Sequence, residues 1–277
     1  MSIDDIEIGE FVPTPCVSAQ RPELQVVSWN VARGIQTDGI RKFLLRANAD
    51  LILLQECDRN SRRTGYENVA KDLAQKLGMN YVFGVEFQEL GQGSHASPAH
   101  HGQATLSRWP LSDPRILRFR RQSRYWHPRW WIPPLPVFQR RIGGRMALVT
   151  RVALGGRSIL TYNVHLESRN GDEHRHAQLA ELLEDSRQYD VDGVVVAAGD
   201  FNFDLTHPRE ASILQHARFE NPFADACTPT ITTGSLSVGR AIDCILIRGK
   251  VTPWRPAVHN CVRASDHYPL SITLQLP

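Results

Sequence analysis

A chain of 277 residues, 42% hydrophobic and 22% charged, has an ordinary globular composition, and sheet-rich sandwiches of this length fold as one unit. Its apolar runs are too short to cross a bilayer as helices, and the opening MSIDDIEIGEFVPTPC lacks the basic leader and apolar core of a secretory signal. The net charge of +3 is unevenly spread, because Arg115 to Arg145 holds nine arginines and no acid, leaving about −6 for the remainder. The expectation is a cytoplasmic protein with one domain over residues 23–277, a flexible N-terminal leader over 1–22, and a basic aromatic insertion at about 115–145. Cys16, Cys57, Cys227, Cys244 and Cys261 are scattered, odd in number and without a C-x-x-C pair, so they read as reduced thiols.

After the leader, LQVVSWN (Leu24 to Asn30) is a β-rich apolar run, and DGIRKFLLRANA spaces Ile40, Phe43, Leu44 and Ala47 as a helix does. DLILLQE is a second buried strand, ENVAKDLAQKLG an amphipathic helix stopped by glycine, and NYVFGV a third strand. GQATLSRWPL runs as a strand into a turn at Pro110, and RMALVTRVAL and RSILTYNVHL form a hairpin around GGR. DEHRHAQLAELLEDSRQ is the clearest helix, with Leu179, Leu182 and Leu183 on its apolar side. GVVVAAGD, a short helix from about Pro208 to Ala217, AIDCILIR and PLSITLQL follow. Hairpins mixed with helical crossovers imply layered α/β sheets with helices outside.

The polar residues that interrupt this pattern fall at strand ends. Asn30 closes the first strand and Glu56 the second, while His165, Asp200, Asn202 and Asp243 lie in or just after later strands. Asp266 and His267 precede the last one. In the stretch AAGDFNFD, extended backbone would put Asp200 and Asn202 on one face, because residues two apart point the same way. Singly, each has a structural explanation as a cap, a turn residue or an inward carboxylate. Together they are harder to dismiss, since burying several carboxylates without a cation is costly. Mg²⁺, which favours oxygen ligands, resolves that cost, with Mn²⁺ as its nearest substitute. Glu56 and Asp266 supply carboxylates and Asn30 an amide oxygen; zinc fits less well without cysteine clusters.

The segments VVSWNVARG, LILLQE, NVHLES, AAGDFNFD, RAIDCILIR and SDHYPL occur in the order and rough spacing of the endonuclease/exonuclease/phosphatase superfamily. The chain resembles this superfamily, with its deoxyribonuclease-I-like fold, from residue 24 to 276. The resemblance implies a four-layer α/β sandwich, two packed mixed β-sheets flanked by helices, and Mg²⁺-dependent phosphoester cleavage. It implies that Glu56, Asn30 and Asp266 hold the metal, that His267 is the general base and that Asp243 orients it. Asp200 and Asn202 match the pair that positions the attacking water and the phosphate, and His165 the histidine that supports the transition state or leaving group.

The substrate class is less determined. The basic segment interleaves arginine with Tyr125, Trp126, Trp130, Trp131 and Phe138. Arginines could neutralise a nucleic-acid backbone while aromatics stack on bases. The segment could instead meet a membrane, with WWIPPLPVF among headgroups and arginines on anionic lipid. A third reading is surface packing, with arginines paired to acids elsewhere. AHHGQATLSRWPL and HLESRNGDEHRHAQLAEL look like the sphingomyelinase and small phosphodiesterase branch, which tips the preference to a lipid headgroup or related small phosphodiester. His101, Gln103, Arg145 and Asn202 are then the expected substrate contacts. The alternatives are an endo- or exonuclease on DNA or RNA, and a catalytically silent phosphate-binding module; no obligate protein partner is implied.

Overall fold

The computed structural model describes residues 1–12, 23–94, 96–123, 131–133, 135–169, 171–189, 193–225, 228–232 and 240–276. Its elements in chain order are β1 (Ile6–Gly9), β2 (Glu23–Arg33), α1 (Thr37–Ala47), β3 (Leu51–Arg59), α2 (Val69–Leu77), β4 (Asn80–Glu89), β5 (Ala99–Ser107), β6 (Leu111–Arg118) and β7 (Arg141–Gly143). They continue with β8 (Met146–Leu154), β9 (Arg157–His165), α3 (Asp172–Ser186), β10 (Val194–Asp200), α4 (Pro208–His216), β11 (Asp243–Arg248), β12 (Thr252–Val258) and β13 (Leu270–Gln275).

The strands build two sheets. The larger has the order β1-β4-β5-β3-β2-β13-β12, with β7 also on β4, and the smaller the order β11-β10-β9-β8-β6. Both are mixed: β2 and β3 run parallel, as do β9 and β10, while their other neighbours are antiparallel. Period-two alternation explains how they stack. Leu24, Val26, Leu51 and Leu53 join a core with Val149, Tyr162, Val164 and Val196 of the smaller sheet. The residues between them, Val27, Trp29, Ile52 and Leu54, pack on Ile40 and Leu44 of α1 and Val69 and Leu73 of α2. Leu179 and Leu182 of α3 and Leu214 of α4 join the first core. Helices thus flank two packed sheets, the four-layer α/β sandwich expected.

Local signals place the helices. Asn68 caps α2 by accepting the Lys71 N–H at 3.1 Å, and Gly78 ends it with φ 63. α1 ends on Asn48 in the same left-handed region, φ 45, its N–H donating to the Leu44 carbonyl.

Two expectations need correction. The leader is not wholly separate, because Ile6–Gly9 forms β1 at the edge of the larger sheet, paired with β4; residues 13–22 lie outside the described residues. The segment from 115 to 145 is not a simple insertion either. It starts inside β6, paired with β8 of one sheet, and ends in β7, paired with β4 of the other. Backbone hydrogen bonding ties both of its ends to the sandwich.

Candidate active site

Three of the predicted side chains stand in one row on the smaller sheet. Asp200 is the register partner of His165 across the parallel β9–β10 pair and of Asp243 across the antiparallel β10–β11 pair. Directly paired residues project from the same face, so the three converge. Gly199 permits the close approach: it has φ 148, and a Cβ there would lie 2.0 Å from the Val164 carbonyl oxygen.

His267 completes the row from the loop before β13. Its Nδ1 lies 2.9 Å from Asp243 Oδ2, and its Nε2 faces Asp200 Oδ2 at 3.7 Å. Asp243 is fixed from behind by Thr230, whose hydroxyl donates to Oδ2 at 2.6 Å and accepts the backbone N–H of Ile242 and of Asp243, each at 3.0 Å. The His267 backbone is anchored as well, its carbonyl accepting the Trp29 indole N–H at 2.9 Å and its N–H donating to Ser265 Oγ at 3.1 Å. Burial works against a charged imidazole, yet Asp243 and Asp200 push the His267 pKa up to about 10. Burial, and then the nearby Asp200, raises Asp243 above the usual carboxylate range. Ligand atoms of Asp200, Asp243 and His267 lie within 4.8 Å of one another.

Asp200 and Asn202 do come together, though not by strand geometry. β10 ends at Asp200, and Asn202 has left-handed backbone with φ 58, so the two do not share a face of extended chain. The chain instead folds back, the Asn202 N–H donating to Asp200 Oδ1 at 2.9 Å in an Asx-type turn. Asn202 Nδ2 donates to the Leu166 carbonyl at 3.1 Å, leaving the other N–H and the amide oxygen of a half-buried side chain without a partner among the described residues. Asn30 links the two sheets, its Nδ2 donating to Asp200 Oδ2 at 3.2 Å while its Oδ1 accepts the Ala32 N–H at 3.1 Å.

His165 points Nε2 toward Asp200 Oδ2 at 3.7 Å and Glu56 Oε1 at 4.0 Å. Against the ring lies a pair that sequence reasoning had not joined to it: Glu86 Oε2 is 3.2 Å from His165 Nδ1, and Arg145 Nη1 donates to Glu86 Oε1 at 2.7 Å while lying 2.7 Å from His165 Nε2 and 2.9 Å from Nδ1. Although Glu86 is fully buried, His165 and Arg145 hold its carboxyl well below the usual range. Arg145 was expected to contact substrate. It is only 3% exposed and spans Glu86, His165 and Ser168, so it supports His165 from within.

The predicted metal ligands sit around this row. Glu56 lies in a β-bulge with φ 55, which turns its side chain out of the strand's alternation. The side chain is 20% exposed, and no described residue donates a hydrogen bond to it; its cationic neighbours stand off at 3.8 Å (Arg33) and 4.0 Å (His165). Burial would raise its pKa, but His101, His165, Arg33 and Arg145 hold it at about 2. Asp266 is exposed and joins Asn30 through Ser265, whose hydroxyl donates to the Asn30 carbonyl at 2.7 Å and meets Asp266 Oδ1 at 3.2 Å. An ionised carboxylate without a hydrogen-bond donor among the described residues, a second, exposed carboxylate and an amide oxygen are hard-oxygen donors of the kind a divalent ion takes. These residues fit a divalent ion.

Two other expected substrate contacts are corrected. Gln103 is fully buried, its Nε2 donating to the Met146 carbonyl at 3.0 Å and its Oε1 accepting the Leu148 N–H at 3.1 Å, so it clamps β5 to the facing β8. His101 is 1% exposed and turns Nδ1 to Asp58. Neither reaches solvent. Among the described arginines of the basic segment, Arg115 pairs with Asp185, Arg121 with Glu173, Arg141 with Glu89 and Arg145 with Glu86, while Arg118 reaches backbone carbonyls of Val85 and Glu86. Trp131, Leu135, Val137 and Phe138 are 66%, 50%, 81% and 57% exposed. Tyr125, Trp126 and Trp130 lie outside the described residues.

Glu86, Thr230 and Ser265 are the site residues missed from sequence. Glu86 had a visible signal, an acid between Val85 and Phe87 in an apolar run. Thr230 had none, because its place depends on the bridge that pairs Ile231 with His267.

The profile of the endonuclease/exonuclease/phosphatase family matches residues 27–267. Among solved structures, an endonuclease/exonuclease/phosphatase from Beutenbergia cavernae DSM 12333 is 18% identical, with a TM-score of 0.67 over 92% of this chain and 72% of that one. A D. rerio TDP2 humanised by 14 mutations is 19% identical, with a TM-score of 0.64 over 92% of this chain and 99% of that one. A functionally unknown conserved protein from Enterococcus faecalis V583 is 17% identical, with a TM-score of 0.65 over 92% of this chain and 100% of that one. At such identities the likeness is one of fold. No curated protein matches the chain. The match of the profile across nearly the whole sandwich shows that the chain belongs to the endonuclease/exonuclease/phosphatase family.

Proposed function

We propose that this chain is a divalent-metal-dependent phosphoester hydrolase, working with Mg²⁺ or Mn²⁺ on a phosphodiester of the lipid-headgroup or related small type, in the cytoplasm at a membrane surface. The observation that carries the enzymatic reading is the His267 imidazole, with one nitrogen on Asp243 and the other facing Asp200. What favours an interface over a nucleic-acid backbone is that the described arginines of the 115–145 segment are mostly paired, while its apolar side chains stand exposed.

Glu56, Asn30 and Asp266 would hold the ion, which when bound offsets charge on the phosphate oxygens. The chain's own groups do the rest. A water between Asp200 and His267 loses its proton to Nε2, and Asp243 stabilises the imidazolium formed and keeps the ring oriented. Asn202 directs its free amide N–H to a phosphate oxygen. His165, with Arg145 Nη1 2.7 Å from its Nε2, stands with that guanidinium beside the charge that develops as the ester bond breaks.

The test is hydrolysis of bis(p-nitrophenyl) phosphate with Mg²⁺, Mn²⁺ and EDTA, beside a phosphomonoester and a plasmid-nicking assay. Wild-type turnover should need the ion, and His267→Ala should lose about 10²–10⁴-fold, the usual worth of a positioned general base. Glu56→Ala should lose activity with the fold intact. Undiminished turnover in either variant refutes the roles, and robust nicking without small-diester or lipid hydrolysis replaces the substrate class with nucleic acid.

A further inference from the structure

His101 and Asp58 form a second buried imidazole–carboxylate pair, and the reaction outlined above leaves it without a role. His101 Nδ1 lies 2.9 Å from Asp58 Oδ1, and Asp58, itself fully buried, is held by Arg63, whose Nη2 donates at 2.8 Å. Phe87 stacks against the imidazole with centroids 6.3 Å apart. The ring is therefore fixed on one edge and one face. Its other nitrogen, Nε2, is buried and meets no hydrogen-bond partner among the described residues. Buried polar atoms are nearly always satisfied, so an orphan held this firmly calls for a missing neighbour.

The sheet register puts two carboxylates on either side of it. On β5, His101 is paired with Asp58 of β3 on one side and Phe87 of β4 on the other. Both partner strands slip register just before those residues, β3 between Leu54 and Cys57 and β4 between Val85 and Phe87. Glu56 lies inside the first slip and Glu86 inside the second. The imidazole thus stands between the two bulges that carry carboxylates into the site. Of these, Glu86 already has Arg145 and His165, whereas Glu56 accepts no hydrogen bond from a described residue.

We propose that His101 is a positioning residue for Glu56: Asp58 fixes the Nδ1 edge, and the Nε2 edge steadies the Glu56 carboxylate through one water, in the orientation that receives the divalent ion. The inference rests on the metal-binding part of the proposed function. It explains a histidine placed beyond the reach of substrate, and the Arg63–Glu89–Arg141 chain that continues the network behind Asp58. Groups that orient a ligating side chain from outside the coordination sphere commonly change metal affinity by about 10–100-fold.

The experiment is a Mn²⁺ titration of the full chain, free ion being followed by its electron paramagnetic resonance signal, each variant kept well below its melting midpoint. His101→Leu should weaken Mn²⁺ binding about tenfold or more. Asp58→Asn should weaken it in the same direction. His101→Gln, which can place a polar atom where Nε2 lies, should recover much of the loss. Wild-type affinity in His101→Leu, or a His101→Gln no better than leucine, overturns the inference while the metal site stands. If the leucine variant does not fold, Asp58→Asn decides, and wild-type affinity there overturns it. A wild-type chain that takes up no Mn²⁺ overturns the metal-binding reading and this inference with it.

Discussion

His267 shows how one residue's surroundings set its chemistry. It lies among carboxylates that favour its charged form, so its pKa of about 10 in the bare chain is too high for a base at neutral pH. A divalent ion at Glu56 and Asp266 would add positive charge nearby and bring it down, which couples base strength to metal loading. In metal-stripped protein the raised pKa is a stability term with a definite sign. The folded state binds the proton more tightly than the unfolded chain, so the term is fully present below the ordinary imidazole value of about 6.5 and lost as pH rises toward about 10. The thermal midpoint of wild type relative to His267→Gln in EDTA should therefore be highest near pH 6 and fall as pH approaches 10. A pH-independent difference would show that the two aspartates do not act on His267 in this way.

Single residues were legible where their chemistry was unusual for their place, and illegible where partners decided. Asp243 inside AIDCILIR and His267 before the last strand were readable because a buried acid and a strand-edge imidazole need a reason. Gln103 and Arg145 do not show their roles in the sequence, because a polar side chain in or beside a strand looks the same whether it faces a cleft or the protein interior. Gln103 spends both amide atoms on Met146 and Leu148.

At the scale of elements, alternation and caps located most strands and helices, and bulges are where alternation stopped informing. Glu56 and Glu86 lie in register slips, and Ala32 and Arg33, with φ 46 and 72, follow Asn30 through another. One extra residue re-aims a side chain without leaving a mark in hydrophobic periodicity. Short edge pieces escaped for a related reason: β1 and β7 have 4 and 3 residues, too few for a period to show. The segment between β6 and β7 carries its own prediction. Because Trp131 and Phe138 are exposed beside mostly paired arginines, Trp131→Ala/Phe138→Ala should reduce co-sedimentation with phosphatidylserine vesicles several-fold while leaving bis(p-nitrophenyl) phosphate turnover near wild type. Equal vesicle binding by the double variant would remove the lipid-facing role of this surface.

At the scale of the whole molecule, the sandwich brings together residues far apart in sequence. Asn30 comes from the larger sheet, His165, Asp200 and Asp243 from the smaller, and His267 from a loop that both support. The Asn30–Asp200 bond crosses between the sheets, so the packing of Leu24, Val26, Leu51 and Leu53 against the facing strands sets the site's geometry at a distance. That packing was readable in outline from apolar strands alternating with amphipathic helices. The order of strands was not, because antiparallel β3–β5 and β2–β13 pairings join segments separated by long stretches of chain. The decisive measurement is a double-mutant cycle on bis(p-nitrophenyl) phosphate hydrolysis with saturating Mg²⁺, using His267→Ala, Asp243→Ala and the two combined. If Asp243 acts only through the imidazole it holds, the combined variant loses about as much kcat as His267→Ala alone, since residues working as one unit are strongly non-additive. Losses that simply multiply, or kcat undiminished by His267→Ala, would contradict the pairing on which the catalytic site is built.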